Sequence, residues 1–492
     1  MTIFLKQLYD NLDIFGDNIA FCIDDTHYTY AELAKRIAVI QKNIQNWQNH
    51  QYFGIVTRNS IDTYATIFAL WLSGKTSVPI NTKNPQDRNQ YIINNVGIAI
   101  VFDAEVGSTT FNSCKTICTA TITNSLETVK YVEVNEDTDL YILFTSGSTG
   151  KPKGVRINQK NIDSYISELD SLNYRFDHDD RCLLVAELTF DASVQCYLYP
   201  LLKGASVYTL PNDGIRFLMM LKILQTQDIS FVKMTPSAIF YLQNYFDQIH
   251  LPKVKYSLFG AEALSANLVA KWSKCVPNAE IQNVYGPTEA TVNCSMYRWN
   301  ESSGIKSLNG IISIGKMYDN IKSIVCDDQL NIVEDGLVGE LCLSGNQLSQ
   351  GYWKRPENNV KSFFTKNIDN KDIRFYRTGD LVKRDEEGDF FYIGRMDNQV
   401  QVDGFRVELG EIENLANHNT ESRCIALVKK MADSSKMIIL FVESLEISEH
   451  ELYALLIEKL PDYMIPKQIK LVSDFPLLVS GKVDNQQLLQ MI

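Results

Sequence analysis

The sequence predicts an α/β protein: a large N-terminal domain of mainly parallel sheets covered by helices, then a small α+β C-terminal domain. Three observations carry that reading. Short apolar runs rich in β-formers alternate with helical stretches through most of the chain, the pattern of parallel strands joined by crossover helices. Near residue 397 the pattern changes, and the remaining segment of about a hundred residues suits a small α+β unit. The length of 492 residues leaves room for roughly two to four domains, each able to bury a core. The expected division is 1–396 and 397–492.

In chain order, the expected strands of the large domain are Tyr52-Phe-Gly-Ile-Val56, Ile98-Ala-Ile-Val-Phe102, Tyr141-Ile-Leu-Phe144, Leu183-Leu-Val185, Ala205-Ser-Val-Tyr208 and Ile229-Ser-Phe-Val232. Between the first two lies a helix that Ser60 can cap and Gly74 can stop, with Ile61, Tyr64, Ile67, Phe68 and Trp71 on one core-facing side. In the small domain, Cys424-Ile-Ala-Leu-Val428 and Met437-Ile-Ile-Leu-Phe-Val442 read as strands. Ser448 followed by Glu451, with Ile447 and Leu452 placed for a hydrophobic staple, heads a helix running to about Leu460.

Composition narrows the function classes. Apolar residues make up 45% and charged residues 22%, an ordinary globular balance without repeats or low-complexity tracts. A net charge of -12 with scattered Lys and Arg argues against nucleic acid or an anionic membrane as partner. The N-terminus lacks a signal peptide's apolar stretch, and no run of about eighteen apolar residues occurs, so a cytoplasmic chain is expected; a monomer is the expected state, though no residue pattern specifies it. Ten cysteines without a C-x-x-C pair, and six histidines off metal-ligand spacing, read as free thiols rather than disulfides or a zinc site.

After the strand ending at Phe144 comes Thr145-Ser-Gly-Ser-Thr-Gly-Lys-Pro-Lys-Gly-Val155. Glycines let backbone approach phosphate oxygens, hydroxyls and N–H groups donate, and Lys151 and Lys153 add positive charge. The spacing is not a P-loop's, because two residues separate Gly147 from Gly150 and Pro152 follows Lys151. This string resembles the signature of the adenylate-forming enzymes, the superfamily of nonribosomal peptide synthetase adenylation domains, acyl-CoA synthetases and luciferases. Further strings fall in that superfamily's order between Tyr28 and Asp484: Tyr28-Thr-Tyr-Ala-Glu-Leu33, Leu72-Ser-Gly-Lys-Thr-Ser-Val-Pro-Ile80, Phe190-Asp-Ala-Ser193, Tyr285-Gly-Pro-Thr-Glu289, Tyr376-Arg-Thr-Gly-Asp-Leu381, Gly394-Arg-Met-Asp397, Gly404-Phe-Arg-Val-Glu-Leu-Gly-Glu-Ile-Glu413 and Ser480-Gly-Lys-Val-Asp484.

The resemblance implies attack of a carboxylate on the α-phosphorus of ATP, with release of pyrophosphate. Between two anions, positioning and charge neutralisation dominate. Thr145, Ser146, Gly147, Ser148, Thr149, Gly150, Lys151 and Lys153 would hold the β- and γ-phosphates. Gly286, Thr288 and Glu289 would lie at phosphate and Mg²⁺, whose preference is for hard oxygen ligands. Asp380 would accept the ribose hydroxyls, with Arg395 beside the nucleotide. Gly260, Ala261, Glu262, Asn283 and Tyr285 would form the adenine site, an amide reading the ring edge and an aromatic ring stacking on it. Lys482, Thr145 and Glu289 are the expected catalytic residues. An ammonium about 4 Å from an anion gains on the order of 4 kcal/mol at an effective dielectric of 20, and Lys482 reaches the site only if a mobile small domain closes, with Asp397 as hinge. Gln401 departs from the pattern, standing where many relatives carry lysine, and removes a charge from the thioester-forming state.

Resemblance to peptide synthetase pockets gives Asp191, Ala192, Gln195, Lys233, Ser257, Phe259, Val284, Val292, Asn293 and Lys482 as the substrate lining. Asp191 would pair with an α-ammonium, unless it merely caps a helix. Gln195 and Lys233 favour a polar, acidic or amide-bearing side chain, because an apolar one would leave them unpaired. The expected partner is a carrier protein presenting phosphopantetheine, in trans if the chain is the whole protein. A D-alanine to carrier-protein ligase and an acyl- or aryl-CoA ligase are the enzymatic alternatives. A non-enzymatic nucleotide-binding scaffold is disfavoured by Lys482, Glu289 and Asp380.

Overall fold

A computed structural model of the protein describes residues 3–107, 110–122, 127–146, 151–212, 214–300, 304–396, 399–420, 422–431, 436–444, 446–476 and 483–492. The chain divides into two compact units. The first comprises Met1–Asn81, Ile93–Leu143 and Gly154–Met396; the second comprises Thr82–Ile92, Phe144–Lys153 and Asp397–Ile492. Sequence periodicity gave no sign that segments near residues 82–92 and 144–153 would cluster with the C-terminal part.

In the first unit, among the described residues, a nine-stranded sheet runs Lys316–Met317, Ser295–Trp299, Glu280–Tyr285, Tyr256–Phe259, Phe231–Met234, Arg181–Leu184, Ser206–Thr209, Ile19–Ile23, Thr26–Thr29. Its middle is parallel from Glu280–Tyr285 through to Ile19–Ile23, and its outer pairings are antiparallel. Runs such as Arg181-Cys-Leu-Leu184 lack polar alternation because helices cover both faces of a parallel sheet. A second sheet places Lys115–Cys118, Ile100–Asp103, Tyr52–Val56, Thr76–Ile80, Asp139–Thr145 and Lys153–Asn158 side by side. An antiparallel sheet is built on the long strand Lys371–Arg384, paired with Val338–Gly345, Phe363–Ile368 and Phe390–Arg395.

The helix after Ser60 spans Ile61–Leu72, with the Ser60 side chain accepting from the Asp62 N–H and Gly74 at φ 68°. The expectation of a single buried face is corrected: all twelve of its residues are buried. A helix buried on every side lies inside the protein, where its Asp62 carboxylate pairs with Arg36 at 2.6 Å and Trp71 Nε1 donates to Leu140 O at 2.9 Å.

In the second unit, strand Cys424–Lys430 pairs antiparallel with Lys436–Glu443, which takes Gln468–Val472 as a parallel neighbour. Sequence reading missed that third strand because Gln468-Ile-Lys-Leu-Val472 is only five residues long. The Ser448 side chain accepts from the Glu451 N–H at the head of helix Glu449–Lys459, and Leu452 is buried beneath it. Hairpin Gln399–Val402 and Phe405–Glu408 precedes helix Leu409–Thr420. Within this unit Arg88 and Glu411 form a buried ion pair at 2.5 Å, and Lys459 reaches Asp87 at 2.9 Å.

Candidate active site

Three adjacent parallel strands set the frame. Lys233 stands beside Leu258, Phe259 beside Asn283, and all three strands end at one edge, where open α/β sheets bind ligands. Side chains alternate faces along a strand, so register decides which residues share a side. Lys233 is on the Leu258 and Val284 side. Ser257 and Phe259, expected in the substrate lining, fall on the other: Ser257 Oγ accepts from Trp272 Nε1 at 3.0 Å, and Phe259 packs in the cluster of Met234, Leu264 and Trp272. That pleat parity corrects their assignment.

On the Lys233 side, the ammonium donates to Gln195 Oε1 at 2.9 Å and to Asn293 Oδ1 at 3.0 Å. Asn293 Nδ2 in turn donates to Gln195 Oε1 at 3.0 Å and to the Tyr165 hydroxyl at 3.1 Å. Gln195 comes from helix Ala192–Leu202, whose first turn follows Asp191. Burial pushes the Lys233 ammonium down to about 8, against the pull of Cys196 and Asp191. Burial also raises the Asp191 carboxyl above its ordinary range, opposed by Lys233 and a hydrogen bond with Thr288.

Two atoms here are buried with no partner among the described residues, Asp191 Oδ2 and Gln195 Nε2. Asp191 makes no side-chain cap to the helix it precedes, which removes the capping explanation for this residue. Ala192 is half-buried beside it.

A second group lies at the end of strand Glu280–Tyr285 and within strand Lys371–Arg384. The Tyr285 hydroxyl donates to Asp380 Oδ2 at 2.5 Å, and Arg395 Nη1 donates to Asp380 Oδ1 at 2.7 Å. Register accounts for the second contact, since Asp380 and Arg395 are paired across antiparallel strands. Glu289 is 0% exposed, and its Oε1 accepts from the Tyr352 hydroxyl at 2.6 Å. Glu262 follows Ala261 at φ 66° and accepts from the Ser237 N–H and hydroxyl. Asn283 is buried, and its Nδ2 donates to Ser313 O at 2.9 Å. A Cβ on Gly286 would sit 2.5 Å from Val292 O and 2.6 Å from Asn293 Cα, so only glycine lets the turn fold back there. A Cβ on Gly260 would press on Val284 at 3.1 Å.

Residues 9–353 match the family of AMP-binding enzymes. The chain belongs to that family. The membership places it among the adenylating ligases that its motifs resemble. Tyrocidine synthase 1 of Brevibacillus parabrevis is 29% identical over 98% of this chain and 44% of its own length. Zwittermicin A synthase ZmaJ of Bacillus cereus is 31% identical over 88% of this chain and 84% of its own. The chain thus spans under half of the first of these. The fold matches the adenylation domain AlmE of Vibrio cholerae, solved with glycyl-adenosine-5'-phosphate, at a TM-score of 0.89 and 23% identity over 100% of this chain and 98% of that one.

In this AMP-binding enzyme the structure gathers Asp191, Gln195, Lys233 and Asn293 as one cluster, and Tyr285, Asp380 and Arg395 as another. Thr145, Ser146, Lys151 and Lys153 belong to the second unit, where Ser146 Oγ donates to Arg406 O at 2.8 Å and Lys153 pairs with Glu408 at 3.4 Å. Lys151 lies over the Tyr91 ring, 5.9 Å from its centroid. Gly147, Ser148, Thr149, Gly150, Asp397 and Lys482 lie outside the described residues. Tyr352, Tyr165 and Gln347 were missed by sequence reading. Their only signal was a polar group inside an otherwise packed segment. No helix among the described residues is long and apolar enough to cross a membrane.

Proposed function

We propose that the protein activates an amino acid as its aminoacyl adenylate and passes it to the phosphopantetheine thiol of a carrier protein. The observation that carries this reading is Asp191 Oδ2, a buried carboxylate oxygen without a hydrogen-bond partner among the described residues. Leaving a charge in that state costs several kcal/mol, and an α-ammonium would supply the missing counter-charge. A fatty or aryl acid would not.

In the first step the substrate carboxylate oxygen attacks the α-phosphorus, the bond to the β-phosphate oxygen breaks, and pyrophosphate leaves. Asp380, preset by Tyr285 and Arg395, receives the ribose, and Lys482 offsets the charge of the reacting anions. Glu289 fits Mg²⁺. Among the described residues no group of three or more His, Cys, Asp or Glu could hold a metal unaided, and Mg²⁺ is ordinarily bound through one or two carboxylates together with substrate phosphates. When bound, it neutralises charge on those phosphates. In the second step a thiolate attacks the acyl carbon, the mixed anhydride bond breaks, and AMP leaves.

The side chain bound is polar, acidic or amide-bearing. Lys233 already donates to Gln195 and Asn293, while Gln195 Nε2 has N–H groups to give, so the occupant should bring an acceptor. Amino-acid-dependent exchange of pyrophosphate into ATP, run over L- and D-amino acids, aryl acids and fatty acids, tests the proposal. Exchange is expected with one or a few acceptor-bearing amino acids. Exchange only with small apolar amino acids would sink the side-chain assignment, and exchange only with acids lacking an α-amine would sink the proposal.

A further inference from the structure

Two consecutive β-branched residues in the first unit hold left-handed backbone, Thr291 at φ 58° and Val292 at φ 67°. Such a conformation is uncommon for a β-branched residue and strained, so something must enforce it. The Gln347 amide enforces it. Gln347 is 0% exposed, and its Nε2 sits 3.1 Å from Ala290 O, 3.3 Å from Thr291 O and 2.8 Å from Asn293 O. The Thr291 hydroxyl returns a bond to the Gln347 backbone carbonyl at 2.5 Å. On the opposite side the turn rests on Gly286, where no Cβ would fit.

We propose that Gln347 is a specificity-positioning residue: by gathering the carbonyls of residues 290, 291 and 293 it fixes where Asn293 meets Lys233 and Gln195, and so sets the shape of the amino-acid pocket. It need not touch substrate. The inference rests on the reading of Asn293 and Lys233 as substrate lining. Asn293 immediately follows the two left-handed residues, so relaxing them swings its amide away from the Lys233 ammonium, whose second acceptor it is. Asp380 is anchored separately, by Tyr285 and Arg395, and Glu289 keeps two holds that do not pass through the Gln347 amide, the Tyr352 hydroxyl on its carboxylate and Ser349 N–H on its own carbonyl.

Steady-state pyrophosphate exchange on the full chain tests this with Gln347→Met, close in size but without the amide donors. The expected result is a rise of about tenfold or more in KM for the preferred amino acid, a broadened amino-acid profile, and KM for ATP within about twofold. Thr291→Val, isosteric but lacking the hydroxyl, should move the same constant about threefold, and Thr291→Ser should restore it; this pair keeps the test open if Gln347→Met does not fold. Equal shifts in both KM values, or none, would overturn the positioning role. Asn293→Ala separates the two levels of inference. If it raises the amino-acid KM while Gln347→Met does not, Gln347 alone is misassigned; if Asn293→Ala leaves KM and profile untouched, the pocket reading fails and the inference falls with it.

Discussion

The two clusters of the first unit handle their buried polar atoms in opposite ways. Around Asp380 the polar groups have partners within the protein: Tyr285 and Arg395 on its two oxygens, Tyr352 on Glu289, Ser237 on Glu262. Around Lys233, Asp191 Oδ2 and Gln195 Nε2 are buried atoms with no hydrogen-bond partner among the described residues. A satisfied network is rigid in the absence of ligand, which suits recognition of a nucleotide that never changes. An unsatisfied one pays a desolvation penalty until its ligand arrives, which makes binding selective for whatever supplies the missing partners.

The sharpest way to break that contrast is Asp191→Asn. Removing one member of a buried charge pair costs about 3–5 kcal/mol, so kcat/KM for the amino acid should fall by on the order of 10²–10³-fold in the exchange assay, with KM for ATP unchanged. Stability should move the other way. Burial raises the Asp191 carboxyl, so the folded state holds its proton to higher pH than the unfolded state. Its contribution to stability therefore declines as pH rises past the ordinary carboxylate range, and the neutral amide escapes that decline. The variant should melt at or above the parent temperature at neutral pH. A clear drop in melting temperature would show that Asp191 is paired within the protein.

Asp380→Asn is the mirror experiment and the next largest effect. Weakening charge-assisted hydrogen bonds of about 1.5–3 kcal/mol should raise KM for ATP roughly 10–100-fold and leave the amino-acid constant alone. Here stability should fall, because Arg395 loses its carboxylate partner. Unchanged ATP affinity would detach Asp380 from the nucleotide.

The same contrast explains what could be read from the chain alone. Strands such as Tyr52–Val56 and the Ser60-capped helix were legible because apolar period and capping chemistry are local. Asp380 and Glu289 stood out through the strings around them, and both are buried and hydrogen-bonded. Which face Ser257 and Phe259 occupy depends on strand register, a non-local property, and one residue of parity moved both off the Lys233 side. Gln347 was invisible for a similar reason: its partners lie some 54 to 57 positions away and are backbone carbonyls, which no side-chain motif records.

The smallest and most discriminating effect concerns Lys233. Its ammonium titrates near 8 in the folded protein, against 10.5 for an ordinary lysine. Since kcat/KM reports the free enzyme, activation of an acidic amino acid should decline about tenfold per pH unit above 8, as the cation that offsets its side-chain carboxylate is lost. An amide-bearing amino acid shares the titration of the α-amine but asks for no counter-charge, so its profile should lie flat relative to the acidic one. Stability supplies an independent check with the opposite sign. Between about 8 and 10.5 the unfolded chain binds the lysine proton and the folded chain does not, so Lys233 contributes more stability as pH rises through that window. The parent enzyme should therefore gain stability relative to Lys233→Met over the same interval in which it loses activity on an acidic substrate. If neither the gain in stability nor the loss of activity appears, Lys233 keeps its proton, and its partners Gln195 and Asn293 hold a permanent cation rather than one released by burial.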